Sequence, residues 1–199
     1  TAYEIVSRDW SSDVCSSDLA LLTIAAIRGW SYYQTKQGLD AGELYVQLQG
    51  AVGANDPKKV QDIAGVIMDR YKRTGYAMFA ALAAAKAAVD TGDRAAAKAK
   101  LQWVVDNGRD EESKDIGRLR LAGVLVDEKN YDEALKLLDV KPVETFAGLF
   151  ADLKADVLVL QGKPQEARAA YQIALDKSDN KSAFRALVQV KLDALGAAK

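Results

Sequence analysis

Residues 155–175 read ADVLVLQGKPQEARAAYQIAL, and this stretch decides the fold. Ala155 leads into a break at Gly162-Lys163-Pro164, after which Ala167, Tyr171, Ala174 and Leu175 return at helical spacing. Small residues at such positions let two helices of a pair cross closely, while larger ones fill the gap to the next pair. Working outward, Ala122, Tyr131, Ala134 and Leu138 fall in matching slots, as do Ala85, Gly92, Ala97 and Leu101. Val60, Ala97, Ala134 and Ala167 are equivalent places separated by 37, 37 and 33 residues. A period of that size means stacked helix pairs.

The breaks carry helix-start chemistry. They fall at Asn55-Asp56-Pro57, Thr91-Gly92-Asp93, Glu128-Lys129-Asn130 and Gly162-Lys163-Pro164 within pairs. Between pairs they fall at Thr74-Gly75, Asn107-Gly108, Lys141-Pro142 and Ser178-Asp179-Asn180. Asp56 before Pro57 reads as an N-cap followed by proline at the first helical position, and Asp93 can cap in the same way. The predicted fold is all-α: a tetratricopeptide-like right-handed solenoid over residues 36–199. Its first unit, Asp40 to Tyr71, matches weakly, and a final helix, Lys181 to Leu195, caps the array.

Composition narrows the function. At 49% hydrophobic and 28% charged, the chain suits a folded body, and 27 basic against 28 acidic residues leave no basic footprint for nucleic acid. Histidine is absent, which removes the commonest general base and neutral metal ligand. Cys15 is the only cysteine, so there is no internal disulfide or thiolate metal site. Glycines fall singly at breaks, and no phosphate-binding loop is present.

The N-terminus reads differently. Residues 1–18, with Ser11, Ser12, Ser16 and Ser17 around Asp13 and Cys15, show no periodicity. They resemble a non-native leader or a disordered tail. Leu19 to Ile27 is apolar and is followed by Trp30, Tyr32 and Tyr33, which look like an interfacial aromatic belt. Nine residues cannot span a bilayer, which takes about 20. Three readings stay open for 19–35: a truncated membrane anchor, the apolar core of a signal peptide, or an ordinary amphipathic first helix.

Few residues suggest catalysis. Asp110, Glu111 and Glu112 read as a solvated turn. Asp152 and Asp156, four apart on one helix face, would suit a divalent cation, though a solvated groove wall is the blander reading. Arg118 and Arg120 could bind an anion, with Asp115 as a structural ion-pair partner. Neither an enzyme nor a cofactor is expected. Function then falls to the concave face made by the first helix of each pair. By register, Phe79, Leu82 and Lys86 face it from the second unit, Ile116, Leu119 and Gly123 from the third, and Leu149, Asp152 and Asp156 from the fourth. This groove is apolar and acidic, and lacks the Lys and Asn cluster that clamps a terminal carboxylate. A polypeptide segment suits it better. Glutamate at Leu82 and Leu119 is expected to weaken partner binding and leave helical content intact.

Several stretches resemble the bacterial ancillary Sec translocon subunit family. They are Gly29-Trp30-Ser31-Tyr32-Tyr33, Arg118-Leu119-Arg120-Leu121-Ala122, Tyr131-Asp132-Glu133-Ala134-Leu135 and Ala151-Asp152-Leu153-Lys154-Ala155-Asp156. Gln161-Gly162-Lys163 leading to Glu166-Ala167-Arg168, and Val190-Lys191-Leu192-Asp193-Ala194-Leu195, complete the order. The resemblance covers Leu19 to Leu195, with Arg28 a departure near the membrane. It implies a single-pass inner-membrane protein with its repeat domain in the periplasm. It also implies association with the Sec translocon and a periplasmic chaperone in handling exported polypeptides, without catalytic residues. The alternative is a tetratricopeptide adaptor of envelope assembly unrelated to export.

Overall fold

The structure, a computed structural model, describes the backbone of residues 10–196 and the side chains of residues 18–196. The leader expected over 1–18 lies outside the described side chains but for Asp18. Among the described residues nine helices follow in order: α1 (Trp10–Gly53), α2 (Pro57–Arg70), α3 (Gly75–Asp90), α4 (Arg94–Asn107), α5 (Glu111–Asp127), α6 (Tyr131–Leu138), α7 (Ala147–Leu160), α8 (Pro164–Asp176) and α9 (Ala183–Ala194). A 3-10 turn at Glu144–Phe146 precedes α7, and no strand occurs among the described residues.

Each helix packs on the next, and α1 also packs on α3 and α5 on α7, so first helices stack on first helices. The four register positions are all interior: Val60 is 2% exposed, and Ala97, Ala134 and Ala167 are fully buried. The weakly matching first unit is therefore a true unit, with a larger residue in the same slot.

The turns within pairs share one geometry. Asn55, Gly92, Lys129 and Gly162 sit in the left-handed region at φ of 51°, 81°, 62° and 73°. The next residue in each, Asp56, Asp93, Asn130 or Lys163, donates its N–H to the carbonyl of Ala51, Ala88, Leu125 or Leu158 at 2.8–3.1 Å. This satisfies carbonyls that a helix end leaves free. Asp56 then accepts the N–H of Lys59 at 3.0 Å, and Asp93 that of Ala96 at 2.9 Å, as the N-cap reading expects. Asn130 and Lys163 start their helices without a side-chain cap.

The residue after each register position ties its unit to the next. Gln61 donates to the carbonyl of Ala84, Lys98 pairs with Glu128 at 2.6 Å, and Arg168 reaches the carbonyls of Leu195 and Gly196. Leu135 holds the equivalent place by packing against both the central and the C-terminal core clusters. Because Arg168 treats the end of α9 as Lys98 treats the end of α5, α9 stands where the first helix of a further unit would stand. Trp103 plays a joining part similar to that of Leu135 between the N-terminal and central clusters.

Helix α1 behaves as two parts. From Ala41 onward it packs on α2 and α3, with Ala41, Leu48 and Ala51 buried. Residues 18–36 are exposed throughout, including Leu19, Leu21, Leu22, Ile24 and Ile27. The stretch before Leu19 lacks helical periodicity, yet its backbone is helical from Trp10. A helix already nucleated gains one hydrogen bond per residue added and needs no packing partner to extend. Among the described residues no helix is long and apolar enough to cross a membrane.

Candidate functional site

A groove of about 530 Å³ is built by three consecutive first helices together with Asn55, Asp56, Pro57 and Val60 of the α1–α2 turn and the start of α2. Helix α1 supplies Tyr45 and Val52, α3 supplies Phe79, Leu82, Ala83 and Lys86, and α5 supplies Ile116 and Arg120. Stacking of α1 on α3 brings the aromatic rings into one ridge, with Tyr45 5.3 Å from Tyr76 and 6.1 Å from Phe79 between centroids. Phe79 is 49% exposed, an unusual position for a phenylalanine unless something covers it. Four charged side chains, Asp56, Lys86, Asp90 and Arg120, are among the groove's lining. Lys86 pairs with Asp90 at 2.6 Å, both side chains open to solvent, and Arg120 makes no ion pair among the described residues.

Of the nine residues expected on the concave face, Phe79, Leu82, Lys86 and Ile116 line this groove. Gly123 lines a smaller one of about 260 Å³ beside it, again with Leu82, Lys86 and Arg120. Leu82 does more than line a surface. It is 9% exposed and belongs to the central core, and Leu119 packs against that same core. A glutamate at Leu82 would bury a charge, which runs against the expectation that helical content survives there, whereas Leu119 is only partly buried.

The fourth unit is arranged differently. Leu149 is exposed, but it lines no groove among those formed by the described residues. Asp152 and Asp156 both accept from the Nζ of Lys191 on α9, at 2.9 and 2.8 Å, and Asp156 also accepts the Tyr171 hydroxyl at 2.6 Å. Neither a divalent cation nor a solvated groove wall describes this pair, because an internal ammonium already occupies it. Burial pushes the Asp152 carboxyl up from 3.8, against the hydrogen bond from Lys191. Burial and the Asp156 carboxylate both push the Tyr171 hydroxyl upward. For Lys191, burial acts downward, but the hydrogen bonds to Asp156 and Asp152 outweigh it and the ammonium is held above 10.5. No cluster of three potential ligands able to hold a metal is found among the described residues.

The remaining charged candidates are structural. Asp115 is fully buried and accepts from Arg118 at 2.6 Å and from the Val143 N–H at 2.8 Å, fixing the chain that leads into α7. Arg118 thus has its partner, while Arg120 does not. Asp110 caps α5 by accepting the Ser113 N–H at 2.7 Å, and the Ser113 hydrogen bonds hold its carboxyl below 3.8. Sequence reasoning missed Tyr45 and Val52, and singled out Arg120 as an anion contact without placing it in the groove. Tyr45 lies 37 residues before Leu82, so the register itself points to it once the first unit is trusted.

Comparison with known proteins adds a second line of observation. The tetratricopeptide repeat-like domain family matches residues 14–197. The chain is 33% identical over 176 residues to the ancillary SecYEG translocon subunit of Escherichia coli (strain K12), covering 88% of this chain and 85% of that protein. It is 34% identical over 187 residues to the protein of the same name from Neisseria gonorrhoeae, covering 88% and 87%. The Haemophilus influenzae protein of that name is 31% identical over 157 residues, covering 77% and 76%.

Proposed function

This chain belongs to the ancillary SecYEG translocon subunit family, and from that premise we propose that it is a non-catalytic scaffold that associates with the Sec translocon. In this reading residues 19–35 are the end of a membrane anchor, and the repeat domain stands at the periplasmic face of the inner membrane. Its partners are the translocon, a periplasmic chaperone and exported polypeptides. The observation that carries the reading is the groove across α1, α3 and α5, lined by Tyr45, Val52, Phe79, Leu82 and Ile116, with Phe79 half exposed. Such a surface takes an apolar polypeptide segment, and Arg120 suits an acidic group at its end.

The test is co-purification of the full chain from detergent-solubilised inner membranes, with wild type compared against Phe79→Asp. SecYEG components should accompany the wild type at stoichiometric levels and fall at least tenfold with Phe79→Asp. Equal recovery with both proteins would remove the groove from the association. Absence of SecYEG from both would overturn the translocon reading.

A further inference from the structure

We propose that the α2–α3 turn is a binding surface for anionic phospholipid headgroups, which lays the first repeat against the bilayer. The turn reads Arg70-Tyr71-Lys72-Arg73-Thr74. Its cations line a pocket of about 240 Å³ together with Asp69 and with Tyr33, Gln34 and Gln37 of α1. Arg70, Lys72 and Arg73 are exposed, and none makes an ion pair among the described residues.

The turns between later pairs differ. Lys154 meets Asp139 at 2.8 Å and Lys177 meets Glu144 at 2.8 Å, while Arg109 is followed at once by Asp110, Glu111 and Glu112. Arg70, Lys72 and Arg73 thus stand together, with Asp69 the one acid of the pocket, at the connection that adjoins the exposed part of α1, whereas Lys141 and Lys181 stand singly in later connections. Position gives the cluster its meaning. Tyr33, on the pocket wall, is six residues beyond Ile27, the end of the apolar run, or about 9 Å along the helix. The headgroup layer is about 5–8 Å thick on each side of the hydrocarbon. With Leu19 to Ile27 in lipid, Trp30 falls in the headgroup layer and Tyr33 just outside it, so long Arg and Lys side chains at the pocket reach back to phosphate from above. This geometry rests on the anchor reading of 19–35, but the charge of the turn does not.

Each basic residue at an anionic surface raises partition by about fivefold, so three raise it by roughly 100-fold. The test is sedimentation of the full chain with vesicles of neutral phosphatidylcholine, and with the same vesicles carrying phosphatidylglycerol. Wild type should bind the anionic vesicles more tightly. R70Q/K72Q/R73Q should lose roughly 100-fold on them, and added salt should erase the difference. A control, K58Q/K129Q/K163Q, removes the same charge from exposed positions at the opposite ends of the helices and should bind as wild type does. Equal binding of wild type and R70Q/K72Q/R73Q overturns the proposal. Wild-type binding that is equal on neutral and anionic vesicles also overturns it, while leaving the anchor reading in place. Binding only to anionic vesicles, lost with the turn's charge, supports the proposal and removes the anchor reading. Binding to neither kind of vesicle overturns both.

Discussion

The second and fourth units place equivalent residues on the same concave face, with opposite results. Phe79, Leu82 and Lys86 in α3 correspond to Leu149, Asp152 and Asp156 in α7, by way of Ile116, Leu119 and Gly123 in α5. In the second unit these residues make an open groove. In the fourth, α9 brings Lys191 across, and the two carboxylates close on it. A register position in a solenoid thus specifies a direction, and the neighbouring helix decides whether that direction is an interface or an interior. The array has an open end, beside α1, and a sealed end, beneath α9.

Breaking the seal should have the largest effect. Tyr171 is 3% exposed and its hydroxyl donates to Asp156, so Tyr171→Ala should cost about 3–5 kcal/mol in urea denaturation, through a cavity and a carboxylate deprived of its donor. Lys191→Met leaves two half-buried acids without their cation and should cost about 2 kcal/mol, discounted for the pair's partial exposure. The seal is also pH-dependent. The fold raises the Lys191 pKa above 10.5, so its contribution is whole below that pH and is lost as pH climbs through the raised value. Alkaline denaturation of wild type should show that loss, and Lys191→Met should lack it.

The turns were legible because their chemistry is local. Gly92, Gly162, Asp56, Asp93 and the register alanines each announce a backbone requirement that the structure meets in place. The role of Lys129 was not legible, since nothing in its own chemistry favours a positive φ. The groove was legible only in part. Phe79 and Ile116 follow from register alone, but the sealing of Asp152 and Asp156 depends on a residue 39 and 35 positions away, and no local pattern reports it. Tyr45 was hidden because the first unit carries Val60 where the others carry alanine.

Smaller effects sharpen the same contrast. Gly92→Ala forces a side chain into the left-handed turn of the second unit and should cost about 1–2 kcal/mol by thermal unfolding. Lys129→Gly relieves the same conformation in the third unit and should stabilise by about 0.5–1 kcal/mol. Phe79→Ala, at the open end, should change stability by less than about 0.5 kcal/mol.

The most direct measurement compares positions 79 and 149, equivalent in register and similarly exposed at 49% and 40%. A photo-crosslinking amino acid is placed at one or the other in the full chain, in cells, and adducts to SecYEG components and exported polypeptides are identified. The account predicts adducts from position 79 and none from position 149. Adducts of equal yield from both positions, or from position 149 alone, would contradict it.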